Sequence, residues 1–230
     1  MPLLHRSWQR AWQGAGCTEP NDALADELLG RYREPQRHYH TVQHLCECLV
    51  YLESVLTRIP DAVAVELALW FHDAVYDLAG SAAASNEQRS AASNEQRSAA
   101  SNEQRSALWA RQALLAGGAP ADLAQRVHDL VMATRHDALP ATSDQCWLVD
   151  IDLSILGAAP TRFDEYERQV RDEYAAVPES LFRRKRAEVL AGFLARPRLY
   201  STQYFRDLLE TSARANLNRS IAALAAAPGP

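Results

Sequence analysis

The chain has 230 residues, 47% of them hydrophobic and 23% charged, with a formal net charge of −5. That apolar share excludes a chain disordered throughout, and the length suffices for one substantial core or two small ones. The acidity excludes the broad basic footprint of a protein that binds nucleic-acid polymers. No uninterrupted apolar run approaches the ~18 residues of a membrane span. Residues Met1 to Trp12 are broken by His5, Arg6, Gln9 and Arg10, so they lack the apolar stretch of a secretory leader. The cysteines, Cys17, Cys46, Cys48 and Cys146, are too scattered for a disulfide framework, and Cys46-x-Cys48 is too tight for a usual zinc knuckle. The expectation is a cytoplasmic protein with reduced thiols.

In chain order, the periodicity is helical almost everywhere. Asp22 to Tyr32 places Leu24, Leu28 and Leu29 on one face, and Val42 to Leu56 repeats Leu45, Leu49, Leu52 and Leu56. Asp61 can cap a helix whose Val65, Leu69 and Trp70 lead into Phe71-His72-Asp73. Further helices are expected at Ala121–Thr134, at Trp147–Leu156 and from about Thr161, where Phe163, Tyr166, Val170 and Tyr174 recur. Leu181–Leu194 and Tyr204–Leu224 complete the set, with a flexible tail from about 225. No alternating β-branched run is bounded by hairpin turns, so the fold class is all-α, in one domain over residues 1–230.

Between Ser85 and Leu108 the octad Ser-Asn-Glu-Gln-Arg-Ser-Ala-Ala stands three times, the third copy ending in Leu108. Its composition favours helix, but each unit lacks an apolar face of its own to stack as a solenoid. Eight residues at ~100° each end about 80° beyond two full turns, so successive copies cannot present the same face. Two added copies would lengthen a helix by roughly 24 Å. One copy can pack; the others read as a tandem duplication at the surface, and removing two should leave folding intact.

Four places carry chemistry. In Arg37-His38-Tyr39-His40-Thr41-Val42-Gln43-His44, His40 and His44 would share a face if both were helical. His72-Asp73 ends an apolar helix and is followed by Tyr76-Asp77, while Thr134-Arg135-His136-Asp137 and Asp150-Ile151-Asp152-Leu153-Ser154 come later. Imidazole and carboxylate suit zinc, iron or manganese, and a bundle gathers such ligands from helices distant in sequence. Asp150 and Asp152 point about 200° apart on a helix, so only one is expected at a shared ion, with Asp150 a supporting partner or a helix cap. Arg37 and Arg135 have the fork geometry to hold phosphate oxygens, or they form packing ion pairs. The run Arg183-Arg184-Lys185-Arg186 reads as a solvated helix face.

The series His44, His72-Asp73 and Asp152 resembles the H…HD…D signature of the HD-domain metal-dependent phosphohydrolases, and more narrowly their uncharacterised bacterial branch. Asn-Glu-Gln-Arg-Ser-Ala of the octad, Ala133-Thr134-Arg135-His136, Asp150-Ile151-Asp152-Leu153-Ser154-Ile155-Leu156-Gly157 and Ala213-Arg214-Ala215-Asn216-Leu217 extend the likeness from about Trp8 to Leu217. The resemblance implies an HD-like helical bundle with a divalent ion (Mn, Mg, Zn, Fe or Co) held by His44, His72, Asp73 and Asp152. Tyr39-His40-x-x-x-His44 is also similar to a motif of cyclic-nucleotide phosphodiesterases, by which His40 is the general acid, and Asp73 would both ligate the ion and bond the attacking water. Substrate contacts would fall to Arg37, Asp77, Arg135 and His136, the last a substrate contact or an extra metal ligand. The family has one Asn-Glu-x-x-Ser-Ala segment where this chain has three. Glu103 is preferred for its glutamate because its copy runs directly into the helix of Leu108, Trp109 and Leu114, with Glu87 the rival and Glu95 open. The expected activity is hydrolysis of a phosphate ester or nucleotide by a monomer or homodimer, against two alternatives: a non-catalytic metal- or nucleotide-binding module, and a di-iron oxygenase.

Overall fold

A computed structural model describes residues 2–17, 21–77 and 101–226. The described residues are all-α: ten α-helices and two short 3-10 turns, with no strand among them. They group into two units, Met1–Val149 and Asp150–Pro230. No described helix is long and apolar enough to cross a membrane. The first two octads, with Glu87 and Glu95, lie outside the described residues, as does the end of the chain beyond Ala226.

The first unit begins with α1 (Pro2–Gly14), which the helical periodicity above did not include. It buries Leu4, Trp8, Ala11 and Trp12 along one side, with the Trp8 and Trp12 rings stacked at 5.0 Å. Asn21 caps α2 (Asp22–Arg31) by accepting from the Leu24 N–H, and Thr41 caps α3 (Val42–Val55) through the Gln43 N–H. The expected cap at Asp61 starts α4 (Ala62–Phe71), accepting from the Ala64 N–H at 3.0 Å. Every residue of α4 from Ala64 to Phe71 is buried, as in a helix enclosed on all sides. It packs against α1, α3, α5 (Asn102–Ala116) and α6 (Ala121–Ala133). The one charge on that stretch, Glu66, accepts from Ser7 Oγ at 2.6 Å and from two nitrogens of Arg10 at 2.9 and 2.5 Å. Buried carboxylates persist when so paired. Gly117, just past α5, lies where a Cβ would stand 2.5 Å from the Trp12 ring.

The third octad forms the start of α5. Ser101 caps the helix, Asn102 accepts from the Asp77 N–H at 3.1 Å and donates to the Asp77 carbonyl at 3.2 Å, and Ser106 Oγ accepts from the Val75 N–H at 3.0 Å. This copy is thus fastened to the segment that follows His72-Asp73. Docking the preceding copy in its place would move Asn102 and Ser106 into the positions of Ala110 and Leu114, both fully buried. Placing polar groups in those apolar sites is costly, so the residues after the repeat set its register.

Helix α7 (Ser143–Asp152) starts earlier than the expected Trp147 and ends sooner, tightening into a 3-10 turn at Leu153–Gly157. Its last residues belong to the second unit, which continues with α8 (Pro160–Glu173), α9 (Glu179–Leu194) and α10 (Gln203–Ala226). The turn packs on α10, where a Cβ on Gly157 would meet Leu209 Cβ at 2.6 Å and its carbonyl oxygen at 3.0 Å. Asn216 donates to the Leu156 and Ala158 carbonyls at 2.9 Å, and the Tyr200 hydroxyl to that of Leu153 at 3.1 Å. The basic run on α9 is a solvated face only in part: Arg184 is exposed and Lys185 is 39% exposed, but its other arginines are not. Arg186 is 10% exposed, pairs with Glu167 and lies over the Tyr166 ring, while Arg183 donates to the last carbonyls of α10.

Candidate metal centre

Helix α4 ends by delivering His72 as its C-terminal cap and Asp73 in the turn beyond. Helix α3 brings His44 from its first turn, one residue after Gln43. The three side chains converge within the first unit. His44 Nε2 and His72 Nε2 are 3.1 Å apart, and Asp73 Oδ2 lies 3.0 Å from His72 Nε2 and 3.5 Å from His44 Nε2. Nitrogen and oxygen ligands about 2.0–2.2 Å from one divalent ion, at angles between right and tetrahedral, are themselves roughly 2.8–3.6 Å apart. The observed triangle meets that spacing, so His44, His72 and Asp73 can hold a metal ion.

The outward nitrogens support the same arrangement. His72 Nδ1 donates to the Leu69 carbonyl at 2.8 Å, which puts the proton on Nδ1 and leaves the Nε2 lone pair facing the centre. His44 Nδ1 is 3.1 Å from the Tyr39 hydroxyl. Both imidazoles are 2% exposed, whereas the Asp73 side chain keeps 17%, which makes the carboxylate the more open of the three ligands. Burial works to push the Asp73 carboxyl up, but the charges of His72 and His40, the hydrogen bond from His72 and the charge of His44 hold it well below the usual carboxylate range. It is an anion ready for a cation.

Cys48, one turn beyond His44, was read from sequence only as a reduced cysteine. It is 1% exposed, with Sγ at 3.7 Å from His44 Nδ1 and 3.8 Å from Nε2. A sulfur equidistant from the two nitrogens packs beside the ring rather than along either lone pair. The i,i+4 spacing was the signal that could have found it.

His40 is not on the helix of His44, because Thr41 caps α3 and His40 stands in the preceding turn. The two rings are still 6.1 Å apart, and His40 lies flat on Tyr76 at 4.0 Å with 26° between planes. Tyr76 connects the His-Asp turn to His40, a link that motif spacing did not reveal. Arg37 has its guanidinium buried, donating to the Asp73 carbonyl at 2.5 Å and the Ala74 carbonyl at 3.1 Å, with Nε toward Glu34 at 3.3 Å. Its charge also sits 5.5 Å from the Tyr32 ring and 5.6 Å from that of Tyr76. Arg37 therefore fastens the turn that carries Asp73.

Asp77 is 53% exposed and 3.8 Å from Arg105, and Glu103 occupies the half-exposed first turn of α5. Arg135 pairs with Asp137 at 3.1 Å, and His136 adopts a φ of 56°, the left-handed region that non-glycine residues enter uncommonly. Asp152 is the last residue of α7 and belongs to the second unit. Asp150 is fully buried and accepts from the Ser201 N–H, the Thr202 N–H and the Thr202 hydroxyl, each at 2.7 Å, tying down the approach to α10. Compared with family models, curated proteins and solved structures, the chain matches none of them.

Proposed function

We propose that His44, His72 and Asp73 hold a divalent metal ion and that the chain is a metal-dependent phosphohydrolase acting on a small phosphate ester or nucleotide. The observation that carries this reading is the triangle of two Nε2 atoms and one carboxylate oxygen, 3.0–3.5 Å on a side, with both imidazoles braced at Nδ1. The resemblance to HD-domain proteins supplies the reaction class and adds Asp152 as a fourth ligand. An ion so bound lowers the pKa of water and neutralises charge on phosphoryl oxygens. Within the chain, Asp73 would ligate the ion and accept a hydrogen bond from the attacking water. His40 would give its proton to the leaving oxygen. Arg135, by its fork geometry, and His136, as a substrate contact or an extra ligand, would complete the site together with Asp77 and Glu103. The four free cysteines suit a reducing compartment such as the cytoplasm.

The test is elemental analysis of purified protein joined to a panel of phosphatase, phosphodiesterase and nucleotide substrates. Wild type should carry stoichiometric metal and turn over at least one of them. His72→Ala and Asp73→Ala should lose both metal and turnover, and Asp152→Ala should weaken the metal. Full activity in either triangle variant sinks the mechanism. Two histidines and one carboxylate are also the ligand set of non-haem iron centres. Iron at two per chain, with His136 as a further ligand, oxygen consumed and no phosphate released, would favour a di-iron reading instead.

A further inference from the structure

Tyr39 is 5% exposed and touches the rings of His44 and His40. Its hydroxyl is 3.1 Å from His44 Nδ1, and its ring lies 4.8 Å from the His44 ring at 39°. Edge-on, at 4.9 Å and 78°, it meets His40, which also stacks on Tyr76. A histidine that gives Nε2 to a metal carries its proton on Nδ1, and the acceptor of that proton fixes both tautomer and ring orientation. For His72 the acceptor is a backbone carbonyl, which can do nothing else. For His44 it is a phenol, which can donate as well as accept. The same side chain also borders His40, which stands outside α3 and has no helix to orient it.

We propose that Tyr39 is the positioning residue of this centre: its hydroxyl accepts the His44 Nδ1 proton and its ring sets the edge of His40, a role that rests on the metal reading above. Because the tyrosine serves the ligand through one atom and His40 through its ring, removing the hydroxyl separates the two tasks. Tyr39→Phe keeps the packing against His40 and deletes only the acceptor.

Cobalt(II) is the probe, titrated into metal-free wild type, Tyr39→Phe and His72→Ala and followed by its visible absorption. Wild type should bind one equivalent, His72→Ala should bind none, and Tyr39→Phe should bind 10–100-fold more weakly with an unchanged helical circular-dichroism spectrum. Binding by Tyr39→Phe within twofold of wild type overturns the role of Tyr39 and leaves the metal reading standing. Failure of wild type to bind cobalt overturns both. Should Tyr39→Phe not fold, zinc-loaded wild type with 15N-labelled histidine decides the matter. A slowly exchanging Nδ1 proton on His44, with a nuclear Overhauser contact to the Tyr39 ring, is expected. A proton exchanging at the rate of free imidazole refutes it.

Discussion

Replacing Arg37 tests whether the turn carrying Asp73 is held from outside. The side chain is fully buried, and its two terminal nitrogens serve the carbonyls of Asp73 and Ala74 beyond the end of α4, where a helix leaves acceptors without internal partners. Each bond from a charged donor contributes about 1.5–3 kcal/mol, and leaving a buried acceptor bare adds a desolvation cost. Arg37→Met fills much of the volume but serves neither carbonyl, so its loss should be about 3–5 kcal/mol. Arg37→Lys retains the charge as a point donor that cannot span both oxygens as a fork does, and should lose about half as much. At a urea slope near ~2 kcal/mol/M, the methionine variant would unfold about 2 M earlier than wild type. The assay is urea denaturation followed by circular dichroism, with chelator present so that metal makes no contribution. A loss below about 1 kcal/mol in Arg37→Met would show that the carbonyls find other donors, and the clamp would be wrong.

Gly157→Ala should destabilise the second unit by about 1–3 kcal/mol, since the new methyl meets Leu209 backbone that cannot swing aside; a thermal melt unchanged from wild type would refute the close approach. Deleting residues 85–100 should leave unfolding midpoints within about 0.5 kcal/mol of wild type, and an insoluble product would show that the copies are structural. Burial raises the Asp150 carboxyl, against the pull of the Ser201 and Thr202 donors and of Arg206. A carboxyl raised on folding contributes most below its ordinary value of 3.8, and that contribution fades as pH climbs through the folded value. The stability margin of wild type over Asp150→Asn should therefore narrow from pH 4 to pH 7. A margin that widens would mean that the donors outweigh burial.

The legible parts of this chain were those governed by local rules. Asp61 announces α4 because a carboxylate before an apolar run satisfies the first free N–H groups, and the burial of α4 follows from its unbroken apolarity. His44 and His72-Asp73 were readable as partners because few chemistries need imidazole and carboxylate at the end of an apolar helix. What escaped depends on tertiary placement. Arg37 has the same side chain whether it grips a phosphate or two carbonyls, and only its burial separates the two. His40 shares i,i+4 spacing with His44, but Thr41 takes the cap and ends the helix between them. Helix α1 passed unread because its polar interruptions, weighed against a leader peptide, are also those of an amphipathic helix with Leu4, Trp8 and Ala11 inward. The tightening of the chain after Asp152 into a 3-10 turn packed on α10 leaves no mark in the local periodicity.

The docking of the third octad has a genetic consequence. Seen from Leu108 backwards, the eight residues that fasten α5 to Val75–Asp77 read the same whether one, two or three copies precede it. Polymerase slippage in such a tract adds or removes whole units, and the locking residues Ala110 and Leu114 lie downstream of every junction where that can happen. A change in copy number would therefore leave the residues of these contacts, and those that set their register, unchanged in sequence. A change in the number of copies would thus alter the length of the chain upstream of α5 and none of the residues that fasten its start to Val75–Asp77.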